Sequence, residues 1–169
     1  NSASAVLGTI KTGSISNLIY AAQSMDKSFR DQNIVIGKSD FSKAYRCCPI
    51  SPSHRRFADV IIQKDGEILR STQYAMPFGA IAAVYAWDRV GEAITAILRR
   101  GMLIPLDRYV DDIFWPDLQA IAEETRSLIL ELISILGLSL DVGKSPMPCH
   151  TLDILGVEVK LSQSTSGIT

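Results

Sequence analysis

Apolar residues recur at helical spacing through Ile15, Leu18, Ile19, Ala22 and Met25, and this stripe predicts an amphipathic helix. The dozen or so residues before it, rich in Ser and Thr around Gly8 and Gly13, read as a loosely ordered lead-in. The period then changes. Ile34-Val35-Ile36 is β-branched and opens a short strand that leads to Asp40. Two runs at residues 57–62 and 67–73 flank Lys64-Asp65-Gly66, which predicts a hairpin. After Pro77-Phe78-Gly79, residues 80–100 are Ala-rich, contain no proline and only Gly91, and finish at Arg99, Arg100 and Gly101. That is a helix with cations near its C-terminus and a glycine stop. Residues 106–115 predict two short strands about a turn that holds Asp111 and Asp112. A further helix is expected over residues 118–136, with Asp117 as N-cap and Gly137 as stop. Its expected buried stripe is Leu118, Ile121, Leu128, Leu132 and Ile135. Residues 138–142 and 152–161 predict more strands around a loop at 143–150. The expected class is an α+β sandwich, with two or more helices packed on one face of an antiparallel sheet.

Composition narrows the partners. The chain has 169 residues, 47% hydrophobic and 21% charged, which suits one domain with a real core. It has no apolar run long enough to cross a bilayer and no secretory leader pattern, so an intracellular protein without a membrane partner is expected, cytoplasm and nucleus being equivalent. Cys47, Cys48 and Cys149 make an odd count without a spaced framework, consistent with reduced thiols. Cys149-His150 has no second Cys/His pair to complete a zinc site and reads as loop. Lys and Arg total 17 against 18 Asp and Glu, a net charge of -1. A free-standing phosphate-gripping module is usually basic, so a nucleic-acid partner requires basic segments outside this chain.

Three carboxylates stand where stability alone does not favour them. Asp40 ends an apolar strand, and the adjacent Asp111 and Asp112 lie between Tyr109-Val110 and Ile113-Phe114-Trp115. Like charges bracketed by apolar strand residues resist burial, and a divalent cation removes that penalty. All-oxygen ligands suit Mg²⁺, with Mn²⁺ as the alternative, and a pair of such ions can activate a hydroxyl and stabilise a leaving pyrophosphate. The competing reading of Asp111-Asp112 is a solvent-facing hairpin turn.

Tyr109-Val110-Asp111-Asp112 resembles the Tyr-x-Asp-Asp box of reverse transcriptases, their third palm motif. Asp40-Phe41-Ser42-Lys43-Ala44-Tyr45 resembles the first, and Pro77-Phe78-Gly79 with its Ala-rich helix resembles the second, in the form seen in LTR and DIRS-like retroelements. Gly137-Leu138-Ser139-Leu140-Asp141-Val142-Gly143-Lys144 is similar to the fourth and Leu155-Gly156-Val157 to the fifth. The five stand in the family's order.

The resemblance implies an RNA-directed DNA polymerase using two Mg²⁺ ions, an RNA or DNA template with primer, and dNTPs. It implies Asp40, Asp111 and Asp112 as metal ligands and catalytic residues. Lys144 becomes a candidate proton donor to pyrophosphate, against an exposed loop lysine. Lys43 and Ala44 would lie near the triphosphate, and Tyr45 would exclude a ribose 2′-hydroxyl, against a plain core aromatic. Phe78 and Gly79 would border the nucleotide, Gly79 also being compatible with a simple strand-to-helix turn. Residues 1–33 would be the end of the fingers with a connecting helix and 34–169 the palm, with thumb, RNase H and the basic fingers outside the chain. The second motif departs from the pattern: Ala82-Ala83-Val84 replaces a small polar residue and Ala-Pro, and Trp87 stands for the usual phenylalanine. An RNA-directed RNA polymerase fits less well, because it commonly has a second acidic residue near Tyr45 and a Gly at the start of the third motif. A domesticated palm serving as a scaffold or nucleic-acid-binding module retains the same carboxylates. A small-molecule enzyme with a carboxylate metal site leaves Tyr45 and Pro77-Phe78-Gly79 coincidental.

Overall fold

The computed structural model describes residues 10–161, which form two compact units, one of residue 10 with residues 43–90 and one of residues 11–42 with 91–161. The expected lead-in lies largely outside the described residues.

The second unit is built on an antiparallel sheet of order β1-β5-β4, with β1 Ile34–Asp40, β4 Asp107–Tyr109 and β5 Asp112–Leu118. Strand β1 is buried along nearly its whole length, which explains an apolar run without alternation: both faces of the sheet are covered. Register assigns the faces. Ile36 pairs with Pro116 and Lys38 with Phe114, whereas Gly37 pairs with Trp115 and Arg108 with Ile113 on the opposite face.

Helix α1 (Ile15–Ser28) covers the first face, its Leu18 meeting Ile36 and Phe114. The hairpin of β6 (Thr151–Ile154) and β7 (Val157–Lys160) adds Leu152, Ile154 and Val159 to the same core. Ser14 caps α1, its hydroxyl accepting the Asn17 amide, as helix start chemistry requires. The buried Asp107 of β4 fastens that end, since its carboxylate accepts from the Ser14 amide, Asn17 Nδ2 (2.9 Å) and Arg99 (2.7 Å). The second face carries two helices. From Gly91 onward, α2 (Ile81–Ala96) lies against Arg108, and Thr125 of α3 (Ala122–Ile135) bonds Asp117. The expected antiparallel sheet with helices on one face is therefore present, with α1 added on the other.

Three local expectations need correction. Asp117 does not cap a helix: it is buried in β5 opposite Val35, and α3 starts five residues later. Continued pairing with β1 outcompetes the local cap. The buried stripe of α3 is Ala122, Ile129 and Ile133, whereas Ile121, Leu128 and Ile135 are exposed, because the helix is apolar on two adjacent stripes and tertiary packing selects one. Residues 138–142 form no strand. They make a single bridge, Phe41 with Leu140, and then a short 3₁₀ turn at Val142–Lys144, while residues 152–161 fold into the β6–β7 hairpin. The stop at Gly137 (φ 75°) is as expected: the amides of Gly137 and Leu138 return to the carbonyls of Ser134 and Ile133.

In the first unit, β2 (Asp59–Lys64) and β3 (Glu67–Thr72) pair across Asp65-Gly66, whose φ values of 53° and 83° are those of a type I′ turn. Phe57 belongs to the preceding 3₁₀ turn rather than to β2. Ala83 and Trp87 of α2 are fully buried. Helix α2 gives way to a π-helical turn over Ile97–Gly101. Among the described residues, no helix is long and apolar enough to cross a membrane.

The Gly37–Trp115 pair generates a prediction. A Cβ at Gly37 would overlap the Trp115 indole, which is itself fully buried. Gly37→Ala should therefore destabilise the protein by about 1–3 kcal/mol, the scale of overpacking in a filled core, measured by urea unfolding. An unchanged midpoint would show that the indole moves aside freely.

Candidate metal centre

Strand pairing assembles the site. The last residue of β1, Asp40, lies directly opposite the first residue of β5, Asp112. Directly opposed residues place their Cβ atoms about 5 Å apart, and like charges there repel. Asp111 completes the group from the two-residue turn between β4 and β5, so Asp112 lies at the start of a strand rather than in the turn. The backbone carries strain just before it: Val110 has φ 55°, a left-handed conformation that a β-branched residue rarely adopts. The Phe41 amide donates to the Asp111 carbonyl at 2.8 Å and ties the turn to the end of β1.

One carboxylate oxygen from each of Asp40, Asp111 and Asp112 lies within 4.8 Å of the other two. Ligands of an octahedral Mg²⁺ ion lie about 3 Å apart when adjacent and about 4.2 Å apart when opposite, so the cluster is on the scale of one shared ion. The donor set is all oxygen, which suits hard cations. Among the described residues this is the one group of three or more His, Cys, Asp or Glu side chains gathered closely enough to hold a metal. Cys149 and His150 are not part of such a group, and the Cys149 thiol donates to the Thr151 carbonyl.

Electrostatics supports the fit. Burial raises the Asp111 carboxyl above its ordinary range, and the nearby Asp40 charge adds to the rise. Asp112 is raised by burial and then by Asp40 and Asp111. The Lys144 ammonium donates to Asp40 Oδ2 at 3.0 Å, and Asp40 in turn favours its charged form. Lys144 sits in the 3₁₀ turn begun by Asp141, whose carboxylate accepts the Gly143 amide. Lys38, two residues before Asp40 and on the same face, offsets part of the charge on Asp112 and bonds the Asp153 carbonyl. Sequence reading passed over Lys38, although strand alternation alone places it beside Asp40. It also passed over Arg108, a charged residue that is buried in β4 beside Asp107.

The remaining residues singled out from sequence lie in the first unit. Tyr45 and Phe78 meet edge to face, with ring centroids 5.2 Å apart. Phe78 is largely exposed, so the pair is not a closed core contact. Lys43 has φ 58° and precedes the 3₁₀ turn Ala44–Cys47. Gly79 has φ 83°, a conformation that explains glycine there.

Solved structures share this architecture. A foamy viral protease-reverse transcriptase solved in complex with RNA/DNA hybrid covers 75% of the chain, with a TM-score of 0.56 and 16% identity. A second structure of foamy viral protease-reverse transcriptase, in complex with dsDNA, covers 78% of the chain with a TM-score of 0.56 and 18% identity. The chain has a reverse-transcriptase-like fold. The matched part corresponds to 16% and 26% of the length of those two chains. No protein-family model matches the sequence, and no curated protein does either.

The carboxylates of this reverse-transcriptase-like fold give a prediction about stability. With their pKa values raised, Asp111 and Asp112 bind protons more readily in the folded than in the unfolded chain. Without a cation, stability should therefore fall as pH rises from the ordinary carboxylate range through the folded pKa values. Asp111→Asn or Asp112→Asn in metal-free buffer at neutral pH should raise the unfolding temperature by roughly 2–4 °C. Added Mg²⁺ should stabilise the parent chain more than either variant. Lower unfolding temperatures in both variants would contradict the repulsion inferred from the geometry.

Proposed function

We propose that the chain is the palm portion of a reverse transcriptase, catalysing templated transfer of dNTPs to a primer. The observation that carries this reading is the convergence of Asp40, Asp111 and Asp112 within a reverse-transcriptase-like fold. The order of the five sequence motifs supports it. On this reading residues 34–169 are palm, and residues 1–33 lead in from the fingers. Mg²⁺ ions held by the three carboxylates would favour the ionised primer 3′-hydroxyl and offset the charge developing on pyrophosphate. Asp40 and Asp112 fix two ligand positions through strand pairing, and Asp111 supplies the third from the turn. Lys144, charged and held by Asp40, is the proposed proton donor to the departing pyrophosphate. By its place in the first motif, Tyr45 is the proposed sugar-selecting ring, and Lys43, Ala44, Phe78 and Gly79 are proposed to border the nucleotide. A net charge of -1 leaves the grip on template and primer to basic segments beyond these residues.

Primer extension tests the proposal. Expressed with the reading frame that flanks it, the chain should extend a DNA primer on an RNA template in Mg²⁺, and Asp111→Asn should reduce the rate by at least about 10³-fold. Absence of extension in the flanked protein, with metal binding intact, would favour a domesticated binding module. The 169-residue chain alone should extend weakly or not at all, since positioning contributes roughly 7–11 kcal/mol of barrier lowering in favourable cases.

In the flanked protein, Tyr45→Ala should relax discrimination against ribonucleotides by about 10-fold or more, corresponding to roughly 1.4 kcal/mol, and leave metal affinity unchanged. Equal discrimination in the parent and the variant would make Tyr45 an ordinary packing residue.

A further inference from the structure

We infer that Arg108 is a positioning residue for the Asp111 turn, acting through the Val110 carbonyl, and that Gly91 is required to make room for it. The inference deepens the proposed metal reading, because the turn it concerns presents Asp111. Arg108 is only 3% exposed, an unusual position for a guanidinium on a short strand. Its Nη1 donates to the Val110 carbonyl at 2.8 Å, and its Nη2 pairs with Glu92 Oε1 at 3.2 Å. Glu92 is largely exposed, so the pair contributes little energy by itself and serves to orient the fork.

The acceptor is what gives the contact its meaning. Val110 is the β-branched residue at φ 55°, immediately before Asp111. Such a conformation persists only where its surroundings over-determine it. A charge-assisted bond to the Val110 carbonyl supplies that restraint and fixes the peptide plane joining Val110 to Asp111. Helix α2 accommodates the guanidinium at Gly91. A Cβ there would lie 2.6 Å from both the guanidinium carbon and Nε, so a side chain at position 91 must displace Arg108. Glycine is otherwise unfavourable inside a helix by roughly 1 kcal/mol relative to alanine, which this clearance explains.

Three variants of the full chain test the role: Arg108→Leu, Arg108→Lys and Gly91→Ala. Gly91→Ala removes no charge and raises helix propensity, so it remains informative if Arg108→Leu fails to fold. The decisive readout is amide hydrogen exchange at Phe41, whose amide donates to the Asp111 carbonyl and reports the turn without any metal. Exchange at Ile36, bonded to Cys149 on the same strand, is the internal control. Arg108→Leu and Gly91→Ala should each accelerate Phe41 exchange at least 10-fold while leaving Ile36 unchanged, with partial recovery in Arg108→Lys. Mn²⁺ affinity, read by electron paramagnetic resonance, should fall about 10-fold in the same two variants. Unchanged Phe41 exchange in Gly91→Ala, or equal acceleration at Phe41 and Ile36, would overturn the positioning role. Faster Phe41 exchange in a chain whose parent binds no Mn²⁺ would refute the metal reading and leave the role of Arg108 standing.

Discussion

Seven consecutive pairs between β1 and β5 join the core to the candidate site. The ladder begins at Ile34 opposite Leu118 and ends at Asp40 opposite Asp112, so one alignment settles both. Antiparallel pairs of like charge are unfavourable, and nothing local would choose this one. The remainder of the strand does. Ile34, Val35, Ile36, Phe114 and Trp115 are buried, and each such side chain contributes about 1.5–3 kcal/mol when withdrawn from water. A slip of one residue would turn Ile36 and Phe114 out of the α1 face, so register is set by burial and the carboxylates are carried with it. Gly37 strengthens the choice, because it alone in β1 leaves room for the Trp115 indole.

The core thus forces negative charge together that the protein does not fully neutralise. Three carboxylates converge, while the cations acting on them are Lys144 and Lys38. Burial first, and the neighbouring carboxylate charge after it, raise the carboxyl pKa values of Asp111 and Asp112. An arrangement of this kind is unstable relative to a neutral hairpin and is relieved by a hard divalent ion. This is the physical content of a site that resembles a metal centre.

What sequence could disclose followed the range of the forces involved. The Asp65-Gly66 turn and the Gly137 stop depend on backbone geometry within a few residues, and both were legible. The convergence of Asp40 with Asp111 and Asp112 followed from resemblance, whereas the direct opposition of Asp40 to Asp112 needed the register. Asp117 illustrates the limit. Its residue type suits an N-cap, yet a long-range strand pairing held it in β5. Helix α3 illustrates another: Leu128, Leu132 and Ile135 compete with Ile129 and Ile133 as faces, and periodicity alone cannot rank two apolar stripes. Residues 138–142 alternate like a strand but meet β1 only at its end, where one bridge forms. Arg108 was missed because its role lies in a backbone carbonyl and a neighbouring glycine, neither of which leaves a mark on its own sequence position.

The three carboxylates differ in how they are held, and the difference bears on what the proposed site could do. Asp40 and Asp112 belong to paired strands, whose positions are fixed by the sheet. Asp111 belongs to a turn, and its place depends on three separate ties: closure of the Tyr109–Asp112 pair, the Phe41 amide on its carbonyl, and the Arg108 bond to the preceding carbonyl. Each tie arrives from a different direction: from β4 and β5 themselves, from the end of β1, and from a buried guanidinium beside α2. A metal ion tolerates only small errors in oxygen position, of order 0.2 Å in bond length. Strand ends meet that demand through the sheet, and a turn meets it only through added restraints. The strained Val110 backbone therefore belongs with the carboxylates, as the feature that aims the Asp111 carboxylate toward the two the sheet already holds.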